Sequence, residues 1–156
     1  MQRYHVHGLG AALVDTEIEV SDDFLSQANI EKGLMTLVDE ARQTELLDHM
    51  KDHLVGSKRS SGGSACNSIY AAACFGASTY YSCKVADDDN GTFFHDELAE
   101  AGVATDQSKH NSGTTGKCLV MITPDAERTM NTFLGISETL STENINIDAL
   151  KESEYA

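Results

Sequence analysis

The sequence predicts an α/β fold, an alternating strand–helix core accompanied by a small separate sheet, and three features point there. Short apolar strand-like runs at 4–10 and 79–85 alternate with helical stretches. Gly62-Gly63 leads straight into the segment 64–75, whose Ala71, Ala72 and Ala73 let a helix lie close against a sheet. Val14, Thr16, Ile18 and Val20 alternate with Asp15, Glu17 and Glu19, which is the period of a strand with one dry face and one acidic face.

The elements follow in order. Tyr4 to Gly10 reads as a first strand and residues 12–20 as a second. Gly8-x-Gly10 does not open a dinucleotide-binding fingerprint, because the third glycine is missing and a strand follows where a helix is required. Gly33 to Val38 is a short strand. Asp39 then caps a helix reaching about Val55, with Leu46, Leu47, Met50 and Leu54 on one stripe. His49 and His53 are neighbours on its outer face with Asp48 and Asp52; two ligands do not make a zinc site, and this reads as a solvated face. Ser61 or Ser64 caps the helix at 64–75. Thr79 to Val85 is a strand, and Asn90 to Ala101 a helix closed by Gly102, with Phe94, Leu98 and Ala101 inward. Asp87, Asp88 and Asp89 precede that helix, where capping accounts for them better than a Mg²⁺ cluster does. Lys117 to Thr123 and Arg128 to Phe133 form a hairpin over Pro124-Asp125-Ala126-Glu127. Ser141 caps a last helix through about Lys151, after which an alternating pattern calls for another strand. The sheet is therefore expected to be left incomplete, as in a truncated chain or one piece of a split protein.

Composition narrows the function classes. The 156 residues are 40% hydrophobic with a single proline, enough for one folded core. A net charge of −14 argues against nucleic-acid or anionic-membrane partners, because phosphates are repelled. No apolar run has the length of a membrane span, and the N-terminus lacks the apolar region of a signal peptide, so a cytoplasmic setting is expected. Cys66, Cys74, Cys83 and Cys118 show no Cys-x-x-Cys pairing and read as small buried thiols, Cys118 having the alternative of lining a ligand pocket.

The chemistry concentrates at Gly62-Gly63. Two residues without Cβ let the backbone turn sharply and approach a ligand closely. Asn67 follows near the helix N-terminus, and its carboxamide offers a donor and an acceptor, which suits a vicinal diol. The ligand suggested is neutral and rich in hydroxyls.

This segment resembles the first signature of the ribokinase (PfkB) family of carbohydrate and nucleoside kinases, in which a Gly-Gly pair and an Asn four residues on hold the sugar hydroxyls. Further segments fit in order: Gly8 to Asp15 resembles the opening strand, Cys83 to Val103 the strand–turn–helix after the Gly-Gly helix, and Thr114 to Gly135 the paired strands beyond it. Family members are much longer, and their second signature, an Asp-Thr-x-Gly-Ala-Gly-Asp-like run supplying the catalytic base and phosphate-binding N–H groups, is absent here.

The resemblance implies the N-terminal half of a ribokinase-like three-layer core with a small β-sheet lid at about 12–38 and 114–135, the ATP-binding half being elsewhere. The helices at 39–55, 64–75 and 90–101 are assigned to the core. The implied activity is transfer of the ATP γ-phosphoryl group to a primary hydroxyl of a ribose-containing substrate, with ATP and Mg²⁺ as cofactors of the complete protein. Segments 31–39 and 128–132 look closest to adenosine-kinase-like members, so adenosine is preferred over another nucleoside or a sugar. This chain alone is expected to be inactive; the alternative is a binding module that captures a nucleoside without phosphorylating it. Substrate contacts are implied for Asp15, Gly62, Gly63 and Asn67. Leu13, Met35, Cys118 and Phe133 either floor a nucleobase site or pack the lid. Arg128 either faces the transferred phosphate or pairs with Glu127 or Asp125. A dimer through the lid, or contact with the missing half, is the expected protein partnership.

Overall fold

The computed structural model describes residues 3–51, 57–108 and 111–156. In chain order the strands are β1 (Tyr4–Leu9), β2 (Leu13–Glu19), β3 (Met35–Leu37), β4 (Lys58–Gly62), β5 (Thr79–Ser82), β6 (Val103–Thr105), β7 (Thr115–Ile122), β8 (Arg128–Gly135) and β9 (Ser153–Tyr155). The α-helices are α1 (Asp22–Gln27), α2 (Glu40–His49), α3 (Ser64–Cys74), α4 (Asp89–Glu100) and α5 (Ile147–Lys151). Two compact units emerge: Met1–Val14, Ser61–Gly116 and Leu134–Ala156 form the first, Asp15–Ser60 and Lys117–Phe133 the second.

In the first unit a four-stranded sheet runs β6-β5-β1-β9 with every pairing parallel. Parallel neighbours need crossovers, and α3, α4 and α5 supply them. One sheet face carries Tyr81, fully buried with Ile69 and Cys66 of α3 and Phe94 and Leu98 of α4. The other face carries Tyr80, whose ring packs on Tyr4 at 5.3 Å and His7 at 5.0 Å, with Ala149 of α5 in the same cluster. Helix, sheet and helix make three layers.

The strand expected beyond the chain is already inside it: Ser153 and Tyr155 of β9 pair with Tyr4 and Val6 of β1. The single last helix is instead two pieces. Asn144 accepts from the Ser141 N–H at 3.0 Å in a one-turn 3-10 helix, and Asn146 then caps α5 by accepting from the Ala149 N–H at 2.9 Å. Side chains that take backbone donors in this way interrupt a continuous helix.

The five-stranded sheet has the order β3-β8-β7-β2-β4. In the second unit Ile18 and Val20 of the β2 segment, with Leu119 and Met121 of β7, form the dry face, covered by Leu25 of α1 and Leu46 and Met50 at α2. This corrects the assignment of the 39–55 helix to the strand–helix core: α2 covers this sheet. Gln43 shows why it cannot slide, since its Nε2 donates to the carbonyls of Lys117 and Asn131 at 3.1 and 3.3 Å. Asp39 caps α2 as expected, accepting from the Arg42 N–H at 2.8 Å. The expected continuation with Asp52, His53, Leu54 and Val55 lies outside the described residues. Strand β4 and helix α1 were not anticipated. The turn at 124–127 joins β7 and β8 as expected, and the Thr123 N–H donates to the Glu127 carbonyl.

All four cysteines are free thiols; Cys66 and Cys118 are buried, whereas Cys74 is exposed in the last turn of α3, beside Phe75 at 92% exposure. Among the described residues no helix is long and apolar enough to cross a membrane.

Candidate functional site

The first group of candidate residues lies in the first unit, around the start of α3. Gly62 is the buried last residue of β4. Gly63, not Ser61 or Ser64, is the N-cap: it takes φ +100° and ψ 136°, where side chains are strained, and it brings no capping side chain to the helix end. The reason Ser61 does not cap is that it is still in β4, its N–H donating to the Glu97 carboxylate of α4. Asn67 sits one turn into α3, exposed, its carboxamide without a hydrogen-bond partner among the described residues. A helix N-terminus with a nearby uncommitted carboxamide presents donors and an acceptor together. Leu13 is buried, against the bare Cα of Gly116, where a Cβ would lie 2.5 Å from Leu13 Cδ2.

A second group shares the acidic side of the second unit. Asp15, half-buried on β2, lies within electrostatic reach of Cys118 on β7. Burial pushes the Cys118 thiol up to about 11; Thr132, donating to Sγ at 3.2 Å, and the Arg128 charge pull it down, and the Asp15 carboxylate pushes it up. Arg128 pairs with neither Glu127 nor Asp125. Its guanidinium donates to Glu17 at 2.9 Å, while Asp125 holds Lys32 at 2.7 Å and turns inward to Thr123 and the Glu127 N–H. Met35 is 57% exposed and stands opposite Met130 in the β3–β8 register. Phe133, by strand alternation, points to the other side of β8 from Thr132 and Arg128, so it does not share their surface. Glu17 and Thr132, the partners of Arg128 and Cys118, were not singled out in the sequence; the alternation of β2 and β8 was the signal that could have found them.

Within the Asp87-Asp88-Asp89 run, the structure shows the capping role at Asp88. Asp88 caps α4 and spends both oxygens on Gly91 and Thr115. Among the described residues no group of three His, Cys, Asp or Glu side chains could hold a metal ion. A surface cavity of about 570 Å³ lies at the end of β2 and the β7–β8 turn, lined by residues such as Val20, Ile122 and Pro124, and it contains none of the candidate residues.

Comparisons with known proteins place the fold and the family. The chain is 31% identical to a probable sugar kinase from Rhizobium etli, with a TM-score of 0.88, covering 99% of this chain and 46% of that one. It is 32% identical to the adenosine kinase of Sinorhizobium meliloti, with a TM-score of 0.89, over 98% of this chain and 46% of that one. The apo adenosine kinase of Trypanosoma brucei brucei is 26% identical, with a TM-score of 0.78, over 97% of this chain and 47% of that one. The chain thus spans a little under half the length of these structures. A comparison with curated proteins found no match. The fold is ribokinase-like, and residues 35–156 match the pfkB family carbohydrate kinase pattern. This chain belongs to the pfkB family of carbohydrate kinases.

Proposed function

We propose that this chain is the substrate-binding half of an ATP-dependent nucleoside kinase that phosphorylates a primary hydroxyl of a ribose-containing substrate, adenosine being preferred. The observation that carries this is the start of α3, where a positive-φ Gly63 opens a helix without a capping side chain and Asn67 offers an uncommitted carboxamide. In this reading the Gly63 N–H and the Asn67 amide bind the ribose diol, and Asp15 accepts from sugar hydroxyls. The resemblance to sugar and adenosine kinases supports the substrate class.

ATP would supply the phosphoryl group, and Mg²⁺ would neutralise its charge. Among the described residues Asp88 is committed to a cap, and no group of three His, Cys, Asp or Glu side chains fits the Mg²⁺. In this reading the residues that bind ATP and Mg²⁺ lie outside these 156. What the chain itself does is bind and orient the acceptor, with Arg128 as the cation closest in type to what an incoming phosphoryl group needs.

Calorimetric titration of adenosine into the wild type, Asn67→Ala and Asp15→Ala tests the reading. Each substitution is expected to weaken binding by about 1–3 kcal/mol, the cost of leaving buried polar partners unpaired. Equal affinity in all three proteins refutes the site. Saturable adenosine binding with no ATP-dependent phosphorylation by the complete protein refutes the kinase and leaves a nucleoside-binding module.

A further inference from the structure

The Gly8-x-Gly10 pair, excluded as a dinucleotide fingerprint, has a different use. A Cβ on Gly8 would lie 2.3 Å from Ile69 Cγ1, so this glycine admits α3 to the sheet. A Cβ on Gly10 would lie 2.8 Å from the Tyr81 hydroxyl oxygen and 2.9 Å from Ala65 Cβ. Gly10 therefore leaves the opening through which Tyr81 reaches the backbone beyond it.

What Tyr81 reaches is one end of a single peptide group. Its hydroxyl donates to the Ala11 carbonyl at 2.9 Å. The other end of the same peptide, the Ala12 N–H, donates to Ser137 Oγ at 3.0 Å. The Ser137 hydroxyl in turn lies 3.3 Å from the carbonyl oxygens of both Ala12 and Lys84, either of which can accept its proton. Tyr81 and Ala12 are fully buried and Ser137 nearly so, which removes water as a competing partner. Burial also raises the Tyr81 hydroxyl pKa, so the group remains a donor. The carbonyl held by Tyr81 meets the ligand turn: a Cβ on Gly63 would lie 3.2 Å from it.

We propose that the Ala11–Ala12 peptide is a fixed support for the Gly63 turn, and that Tyr81 and Ser137 are positioning residues that hold it from both ends. A planar peptide gripped at its oxygen and its nitrogen cannot rotate without breaking both bonds. Gly63, which approaches that oxygen closely enough that a Cβ would press on it, then presents its N–H at a constant height relative to Asn67. The inference rests on the nucleoside-binding reading only for its effect on affinity; the support itself is a property of the fold.

The test uses Tyr81→Phe, which keeps the ring, Ser137→Ala, the double variant, and Ser137→Thr, which keeps the hydroxyl. Amide hydrogen exchange at Ala12 and at Asn67, whose N–H donates to the Gly63 carbonyl at 2.9 Å, is read together with the calorimetric Kd for adenosine. Each hydroxyl-removing single variant should speed exchange at both amides well beyond any change at β5 amides and raise the Kd about tenfold. The double variant should lose less than the product of the singles, because both act on one peptide, and Ser137→Thr should stay near wild type. Exchange at Ala12 and Asn67 that changes no more than elsewhere overturns the proposal. If the wild type binds no adenosine, the nucleoside reading fails while exchange alone still decides the support. An altered exchange with an unchanged Kd overturns the positioning role.

Discussion

Replacing Asp88 with alanine should cost about 3 kcal/mol of stability, and the figure follows from its three bonds. Oδ1 accepts from the Gly91 N–H at 2.8 Å and from the Thr115 hydroxyl at 2.6 Å, and Oδ2 accepts from the Thr115 N–H at 2.8 Å. The same Thr115 oxygen receives the Ala86 N–H at 2.9 Å, so the carboxylate anchors the entry to α4 and the start of β7 together. Loss of an N-cap costs about 1 kcal/mol. Thr115 is fully buried, and stranding its N–H adds about 1–3 kcal/mol. Against a total stability of about 5–15 kcal/mol this is a large fraction. Urea unfolding measures it as a drop in midpoint at constant slope. Asp88→Asn should fall between, since one carbonyl oxygen survives to cap α4 but the new NH₂ group faces the Thr115 donor. An Asp88→Ala stability within about 0.5 kcal/mol of wild type would contradict this role of the carboxylate and reopen the Asp87–Asp89 run to another one.

Two further outcomes are expected. Burial lowers the pKa of both His7 and His95, the Asp96 and Asp106 charges opposing this at His95, so each folded pKa lies below the ordinary value of 6.5. The unfolded chain therefore takes up protons first, and stability should fall as pH drops below about 6.5, toward the folded pKa values. Urea midpoints measured at about pH 7.5 and about pH 5.5 check this, with His7→Gln flattening the dependence; equal wild-type midpoints would contradict it. Burial also pushes the thiol of Cys83 up to about 12 and that of Cys118 up to about 11, while Cys74 is exposed. Iodoacetamide should then label Cys74 alone in the native protein and all four cysteines after denaturation. Mass spectrometry showing Cys118 modified as fast as Cys74 would overturn this assignment.

What the sequence revealed was local. Asp39 and Asp88 cap helices because an acceptor a few residues ahead of an amphipathic run needs no tertiary partner to be recognised. The alternation on β2 exposed its dry face, and Ile18 and Val20 are indeed buried. Strand β4 escaped because Lys58-Arg59-Ser60-Ser61-Gly62 has no apolar residue to carry a period. Helix α1 escaped because six residues with only Leu25 buried are too short to show one. The stripe on α2 showed that the helix is covered but could not say by what. At the site, Gly63 and Asn67 were legible as residue types in a turn-to-helix junction. The grip on the Ala11–Ala12 peptide was not, because its partners are 70 and 125 residues away and nothing in a hydroxyl's own neighbourhood marks its target.

Arg128 shows how such distances change a functional argument. Sequence neighbours offered Asp125 and Glu127 as partners, yet Asp125 is taken by Lys32 and by its own turn, and the guanidinium reaches Glu17 instead. That places the cation on the side of β2 that carries Asp15, with Glu17 two residues along the strand. Arg128 is 55% and Glu17 35% exposed, and pairs so open to water contribute about 0–1 kcal/mol. A phosphate, with more charge and a geometry matched to the guanidinium fork, competes well against one exposed carboxylate. Within the kinase reading, Glu17 therefore holds Arg128 in place without committing it, and its weakness is what leaves the cation available.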